Sequence, residues 1–246
     1  MKLKYFIILM LTSFGLPFIF MLLVPAIKMT DAAPLPMGDK DSGKSEVYFN
    51  PVNAGLISQG AEVYASNGCY NCHTQLIRPT SLSASSSVVV TDLWRPDFAG
   101  VMDDEKRGDT RRETTAWDYQ GEKFAQIGTN RIGQDLSNVG HRINAKAKAL
   151  GISPEMYLYL HFYNPRNTVT KTHEKWSNCP SQLGFFEQVK NSGQGTDIAL
   201  PLENKPGYMV IPNDQAVALT SYLLSLKRDQ PVPDSINYNP NKDEEE

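Results

Sequence analysis

Three residues in one short run carry the chemistry of this chain: Cys69 and Cys72, with His73 directly after, in NGCYNCHTQLIRP (Asn67 to Pro79). Two thiols three positions apart, followed by an imidazole, have the spacing of covalent c-type haem attachment. The sulfurs would form thioethers with the two haem vinyl groups and the histidine would ligate the iron. A short helical turn meets both demands, bringing the sulfurs to one side of the macrocycle and aiming the imidazole at the metal. A thiol redox pair would sit near a βαβ pattern, which the sequence lacks. A structural zinc ion needs four ligands, and the remaining histidines, His141, His161 and His173, do not form a second close pair. Cys179 is the only further cysteine, and an odd count of three argues against a disulfide scaffold.

The motif needs an element to deliver it. Leu56, Ile57, Gly60, Val63 and Tyr64 recur at helical spacing, and Gly68 is a suitable stop just before Cys69. SPEMYLYLHFYNP (Ser153 to Pro165) reads as a second helix, with Ser153 as cap, Pro154 and Glu155 in the first turn and a stop before Asn164-Pro165. From Asn213, NDQAVALTSYLLSLKR predicts a closing helix carrying Val217, Leu219, Leu223, Leu224 and Leu226, with Lys227 and Arg228 suited to its C-terminal dipole. Residues 80–120 show neither helical nor strand periodicity and read as an inserted loop region.

Upstream, Phe6 to Ile27 holds 22 residues without a charge. As a helix this stretch rises about 33 Å, enough for the ~30 Å hydrocarbon core of a bilayer, and it exceeds the apolar core of a cleaved signal peptide. An uncleaved anchor over residues 1–30 is expected, with TDAAP (Thr30 to Pro34) as the alternative cleavage site. Lys2 and Lys4 precede the span and Lys28 follows it, a bias toward a cytoplasmic N-terminus with the rest of the chain outside. Gly15 and Pro17 predict a kink packed on a partner helix. Residues 31–52 are polar and rich in Pro, Gly, Asp and Ser, a linker; 53–230 form one domain; 231–246 are an acidic tail expected to be disordered. A net charge of -3 with scattered basic residues leaves no footprint for nucleic acid.

The run GCYNCHTQLIRP resembles the haem region of the monohaem, membrane-anchored cytochrome c subunit of cbb3-type cytochrome c oxidases. The likeness continues through Gly121 to Arg142, Tyr159 to Arg166, Ser177 to Glu187 and Gly207 to Lys227, and covers most of the chain outside 80–120. It implies an all-α, class I-like cytochrome c domain with loop insertions behind a single transmembrane helix, carrying one covalent haem c. It also implies a non-catalytic electron-transfer subunit in a respiratory chain. Such a subunit accepts from another cytochrome c subunit or a soluble cytochrome and hands on to a haem–copper catalytic membrane subunit that reduces oxygen. The matching location is the bacterial inner membrane, haem domain on the periplasmic side. The small cytochrome c subunit of a nitric oxide reductase and an anchored haem-based gas sensor are the alternatives.

Two positions depart from the family pattern. Where the family carries Ser-x-Met-Pro with an axial methionine, this chain reads Ser177-Asn178-Cys179-Pro180, so Cys179 is the positional candidate for the sixth ligand. As thiolate it would stabilise ferric iron and lower the potential, where methionine raises it. His173, Met209 and an open coordination position remain alternatives. The family's Gly-Pro-Asp-Leu, whose proline shelters the proximal histidine, reads Gly133-Gln134-Asp135-Leu136. Arg78 is the first candidate to pair with a haem propionate, followed by Arg131, Arg142 and Arg166.

Overall fold

The computed structural model describes residues 3–30, 55–78, 92–166, 177–191, 193, 195–202 and 205–232. The linker at 31–52, the tail from 233 onward, residues 79–91 of the insertion and His173 lie outside the described residues. The chain forms two units, one on the N-terminal residues Met1–Phe49 and one on Asn50–Gln230.

In the first unit, α1 (Leu3–Phe18) runs through a five-residue π turn, Ile19–Leu23, into α2 (Val24–Thr30). Leu3–Lys28 is a continuous helix of 26 residues, long and apolar enough to cross a membrane, with no side chain buried against protein. Gly15 and Pro17 lie within regular α1. The irregularity falls instead just before Pro25, where the Val24 N–H bonds to the Ile19 carbonyl five residues back. A helical proline presses its ring on the carbonyl four residues earlier, here Met21, and a widened turn makes room for it.

The second unit is helix-rich: α3 (Leu56–Ser66), the short α4 (Pro96–Ala99), α5 (Val139–Leu150), α6 (Pro154–Tyr163) and α7 (Asp214–Ser225). Its core collects around α7, whose Ala216, Leu219, Tyr222 and Leu223 are buried against α3, α5 and α6. The cap anticipated for α6 forms, Ser153 Oγ accepting the Met156 N–H at 3.1 Å, and α7 has one as well, Asn213 Oδ1 accepting the Ala216 N–H at 3.1 Å. Gly60 lets α3 and α7 meet backbone to backbone. A Cβ there would lie 2.0 Å from the Ala218 carbonyl oxygen and 2.6 Å from Tyr222 Cβ. That crossing pins the end of α3, and with it the cysteine motif, to the core.

Three features differ from the sequence reading. A two-stranded antiparallel sheet, β1 (Phe186–Lys190) with β2 (Tyr208–Pro212), pairs Gln188 with Val210. Val210 is buried in the core and the Phe186 ring packs edge-on against Tyr163, so burial of alternate residues stabilises the ribbon. Helix α5 is carried by Val139, Ile143 and Ala147, a thin stripe of modest side chains. Arg228 does not serve the α7 C-terminus, which falls at Ser225. It is buried, donating to the Asp118 carbonyl, to Gln75 Oε1 at 2.9 Å and to Glu122 Oε1 at 2.6 Å, and so ties the chain end to the insertion.

Within the insertion, 92–120 contains two single turns, Asp92–Trp94 and Ala116–Tyr119, beside α4. Phe98 and Ala99 are buried with Ile77. Arg112 pairs with Asp118 at 2.5 Å inside the protein. This segment is held by buried polar contacts more than by apolar area, which is why no hydrophobic period announces it.

Candidate cofactor cavity

Helix α3 ends at Asn67, Gly68 turns left-handed at φ 68°, and Cys69–Asn71 form one tight turn. The Cys72 and His73 N–H groups both donate to the Cys69 carbonyl, at 3.1 and 3.0 Å. The turn places Cys69, Cys72 and His73 on the wall of one cavity of about 640 Å³. That is within the range of ~300–1,000 Å³ typical of small-molecule and cofactor sites. Leu136, Val139, Ile143, Phe162, Leu219 and Leu223 give it an apolar lining. No disulfide joins the cysteines.

His73 is held from behind. The loop at 127–136 runs along 70–76 through four backbone bonds: Gln75 N–H to Ile127 O, Thr129 N–H to Tyr70 O, Gly133 N–H to Cys72 O and Leu136 N–H to Thr74 O. This loop brings the Gln134 carbonyl within 2.7 Å of His73 Nδ1. A carbonyl accepts only, so Nδ1 carries the proton and Nε2 is the nitrogen free to bind a metal. Gly133 lies flat against the ring, and a Cβ at that position would be 2.2 Å from His73 Cε1. The missing proline at 134 matters little here, because the contact with His73 Nδ1 is made by the backbone carbonyl.

Cys179 lines the same cavity as His161 and His73. Burial alone would push its thiol up, but the neighbouring His161 and His73 imidazoles outweigh it and draw the pKa down to about 6. Cys69 moves the other way, to about 11, mainly through burial and further through Cys179 and Cys72. Met209 sits on β2 and is not part of the cavity wall. His161 is a site residue that the sequence reading left out. It stands on α6, and its relevance depends on Cys179, which only the fold brings beside it.

Arg78 is also outside the wall. Its guanidinium binds Asp92, with Nη2 3.0 Å from Oδ1 and Nε 3.2 Å from Oδ2. Arg131 binds the same carboxylate with two nitrogens at 2.8 Å and reaches Thr74 Oγ1 at 2.7 Å. Burial works against the Asp92 charge, yet Arg131 and Arg78 together hold its carboxyl far below the usual range. Asp135, fully buried, accepts from Thr74 Oγ1, the Leu76 N–H and the Ser137 N–H at 2.6 to 2.9 Å. These two carboxylates organise the loops behind His73. Among the described residues no group of three or more His, Cys, Asp or Glu side chains is placed to hold a bare metal ion.

No protein-family model matches the chain, and comparison with curated proteins also finds no match.

Proposed function

We propose that this chain is a monohaem, membrane-anchored electron-transfer subunit that passes electrons to a haem–copper partner. The observation that carries the proposal is the meeting of Cys69, Cys72, His73 and Cys179 on one apolar cavity. These residues fit a c-type haem on three counts. Two thiols share a wall with the imidazole, its Nδ1 is engaged so that Nε2 is free, and Gly133 leaves the ring face uncrowded. Cys69 and Cys72 would hold the group covalently, and His73 and Cys179 would supply ligands to its iron. When bound, the haem supplies one-electron redox chemistry.

The protein residues do the remaining work. The apolar side chains Leu136, Val139, Ile143, Phe162, Leu219 and Leu223 would lower the polarity around the group, one of the factors that set its potential. The Gln134 carbonyl fixes the His73 tautomer and raises its donor strength. A Cys179 thiolate would stabilise the oxidised state, so the chain would run at lower potential than a methionine-ligated relative. The N-terminal helix supports attachment to a bilayer, and the family resemblance supports the oxygen-reducing partner.

The test is a reduced-minus-oxidised optical spectrum and an oxygen-uptake assay on the complex purified from native membranes through a tag on this chain. Haem b bands beside haem c, with oxygen uptake, support the reading. Haem c without a large membrane partner or oxygen reduction would leave an anchored carrier or sensor, and the absence of covalent haem would overturn the proposal. A ferric spectrum unchanged by Cys179→Ala would remove Cys179 as ligand.

A further inference from the structure

The loop that supports His73 is not stiff by composition. Gly133 has no side chain to restrain its backbone, and Gln134, exposed to solvent, lacks the fixed φ that a proline would bring. Yet the Gln134 carbonyl has to keep its direction to stay 2.7 Å from His73 Nδ1. The next residue along supplies a restraint. The Asp135 carboxylate is fully buried, and its two oxygens do different work. Oδ1 accepts the Ser137 N–H at 2.8 Å, a local turn just ahead of α5. Oδ2 reaches the other chain segment and accepts the Thr74 hydroxyl at 2.6 Å and the Leu76 N–H at 2.9 Å. All three partners donate, as an ionised carboxylate requires. Thr74 follows His73 directly, so this carboxylate grips the segment on which the imidazole stands.

Two backbone bonds flank the Gln134 carbonyl, Gly133 N–H to Cys72 O at 2.8 Å and Leu136 N–H to Thr74 O at 2.7 Å. Both are neutral pairs. Hydrogen bonds to an ionised acceptor are roughly twice as strong, so the two that end on Asp135 Oδ2 are the firmer tie between the loop and the segment 74–76. We propose that Asp135 is the positioning residue of His73. Its carboxylate locks Thr74 and Leu76 to the loop, keeps the Gln134 carbonyl on Nδ1 and so sustains the donor strength of Nε2. The charge acts in the same direction, because an anion buried behind the ligand favours oxidised iron. This rests on the functional reading above. It gives part of the setting of the potential to a residue outside the cavity wall, through second-shell hydrogen bonding rather than through a ligand.

The experiment uses the full-length haem-loaded chain in detergent at pH 7. It measures the midpoint potential and, by NMR of the ring nitrogens, the solvent exchange of the His73 Nδ1 proton, for wild type, Asp135→Asn, Thr74→Val, Thr74→Ser and Asp229→Asn. Asparagine removes the charge and sets an N–H where a donor already points, so Asp135→Asn loses at least one bond of the clamp. Its expected shift is about tenfold toward the ferrous form, equal to about 59 mV for one electron, with Nδ1 exchange faster by a similar factor. Thr74→Val keeps the charge and moves both readouts the same way by less, and Thr74→Ser, which retains the hydroxyl, restores them. Asp229 is an equally buried carboxylate whose side chain bonds Thr110, Arg107 and His141, so Asp229→Asn loses stability and leaves both readouts unchanged. If Asp135→Asn does not fold, Thr74→Val carries the test. Wild-type potential and exchange in Asp135→Asn, or equal shifts in Asp229→Asn, would overturn the assignment while leaving the haem reading intact. A chain with no covalent haem would overturn both.

Discussion

Gly133→Ala is the sharpest probe of how His73 is held. Gly133 has no positive φ, so alanine meets no backbone penalty and the effect is purely steric. The new methyl would start 2.2 Å from Cε1 and 2.7 Å from Nδ1 of His73, well inside van der Waals contact. Relief requires the ring to move by more than an ångström, or the loop to withdraw and carry the Gln134 carbonyl out of its 2.7 Å contact with Nδ1. Overpacking of this kind costs roughly 1–3 kcal/mol, and a lost hydrogen bond adds about 1. A total of about 2–4 kcal/mol corresponds to a fall in melting temperature of roughly 5–15 °C for a domain of this size. Thermal unfolding followed by circular dichroism measures it, and the ferric spectrum of the haem-loaded chain reports the strained His73 ligation alongside. A variant that melts within 2 °C of wild type, roughly 1 kcal/mol or less, with an unchanged spectrum would refute the packing argument.

Asp229 provides the clearest pH dependence outside the cavity. Burial raises its pKa, but bonds from His141 and Thr110, with the charge of His141 and Arg107, bring it down to about 2. A depressed carboxyl stabilises the fold above its unfolded value near 4, and that contribution of about 2 kcal/mol is lost as pH falls from roughly 4 toward 2. Asp229→Asn is therefore less stable than wild type at pH 7, with the gap closing toward pH 2 in urea titrations; a constant gap contradicts the assignment. Cys179→Met should raise the midpoint potential of the haem-loaded chain, because a thioether replaces a thiolate donor; an equal or lower potential would count against Cys179 as ligand. The double variant Cys69→Ser/Cys72→Ser, unable to anchor the group, should bind a hydrophobic dye and melt without a cooperative transition, since a cavity of about 640 Å³ interrupts its core. A sharp, cooperative melt of that variant would show that the domain stands without its cofactor.

Much of the site's delivery was legible in the sequence, because it rests on local signals. The apolar stripe of α3, its stop at Gly68, the Ser153 cap and the long uncharged N-terminal run each act within a few residues. What escaped depends on partners distant in sequence. Helix α5 has only Val139, Ile143 and Ala147 facing inward, too faint a stripe among its lysines and asparagine. Arg228 looks like an ordinary helix-terminal base until Glu122 and the Asp118 carbonyl are brought to it. Arg78 looks available until Asp92, 14 positions later, takes its guanidinium. His161 belongs to the same class, since it has no meaning until Cys179 is placed on the same cavity wall. The motif names the chemistry, and the ion pairs show that Arg78 is already committed to Asp92.

The hydrogen bond from the Gln75 N–H to the Ile127 carbonyl, 2.9 Å long, closes the base of a long excursion of the chain. Its two ends therefore lie side by side, directly behind His73. Loop-closure entropy grows only logarithmically, so doubling an excursion of roughly fifty residues costs about 0.6 kcal/mol. The turn where Asp104 and Gly108 bridge one another is itself anchored, since Arg107 within it donates to Asp229 Oδ2 at 3.2 Å. The excursion is thus held both at its base and at this turn, so its length can change between those two ties while the histidine stays where it is.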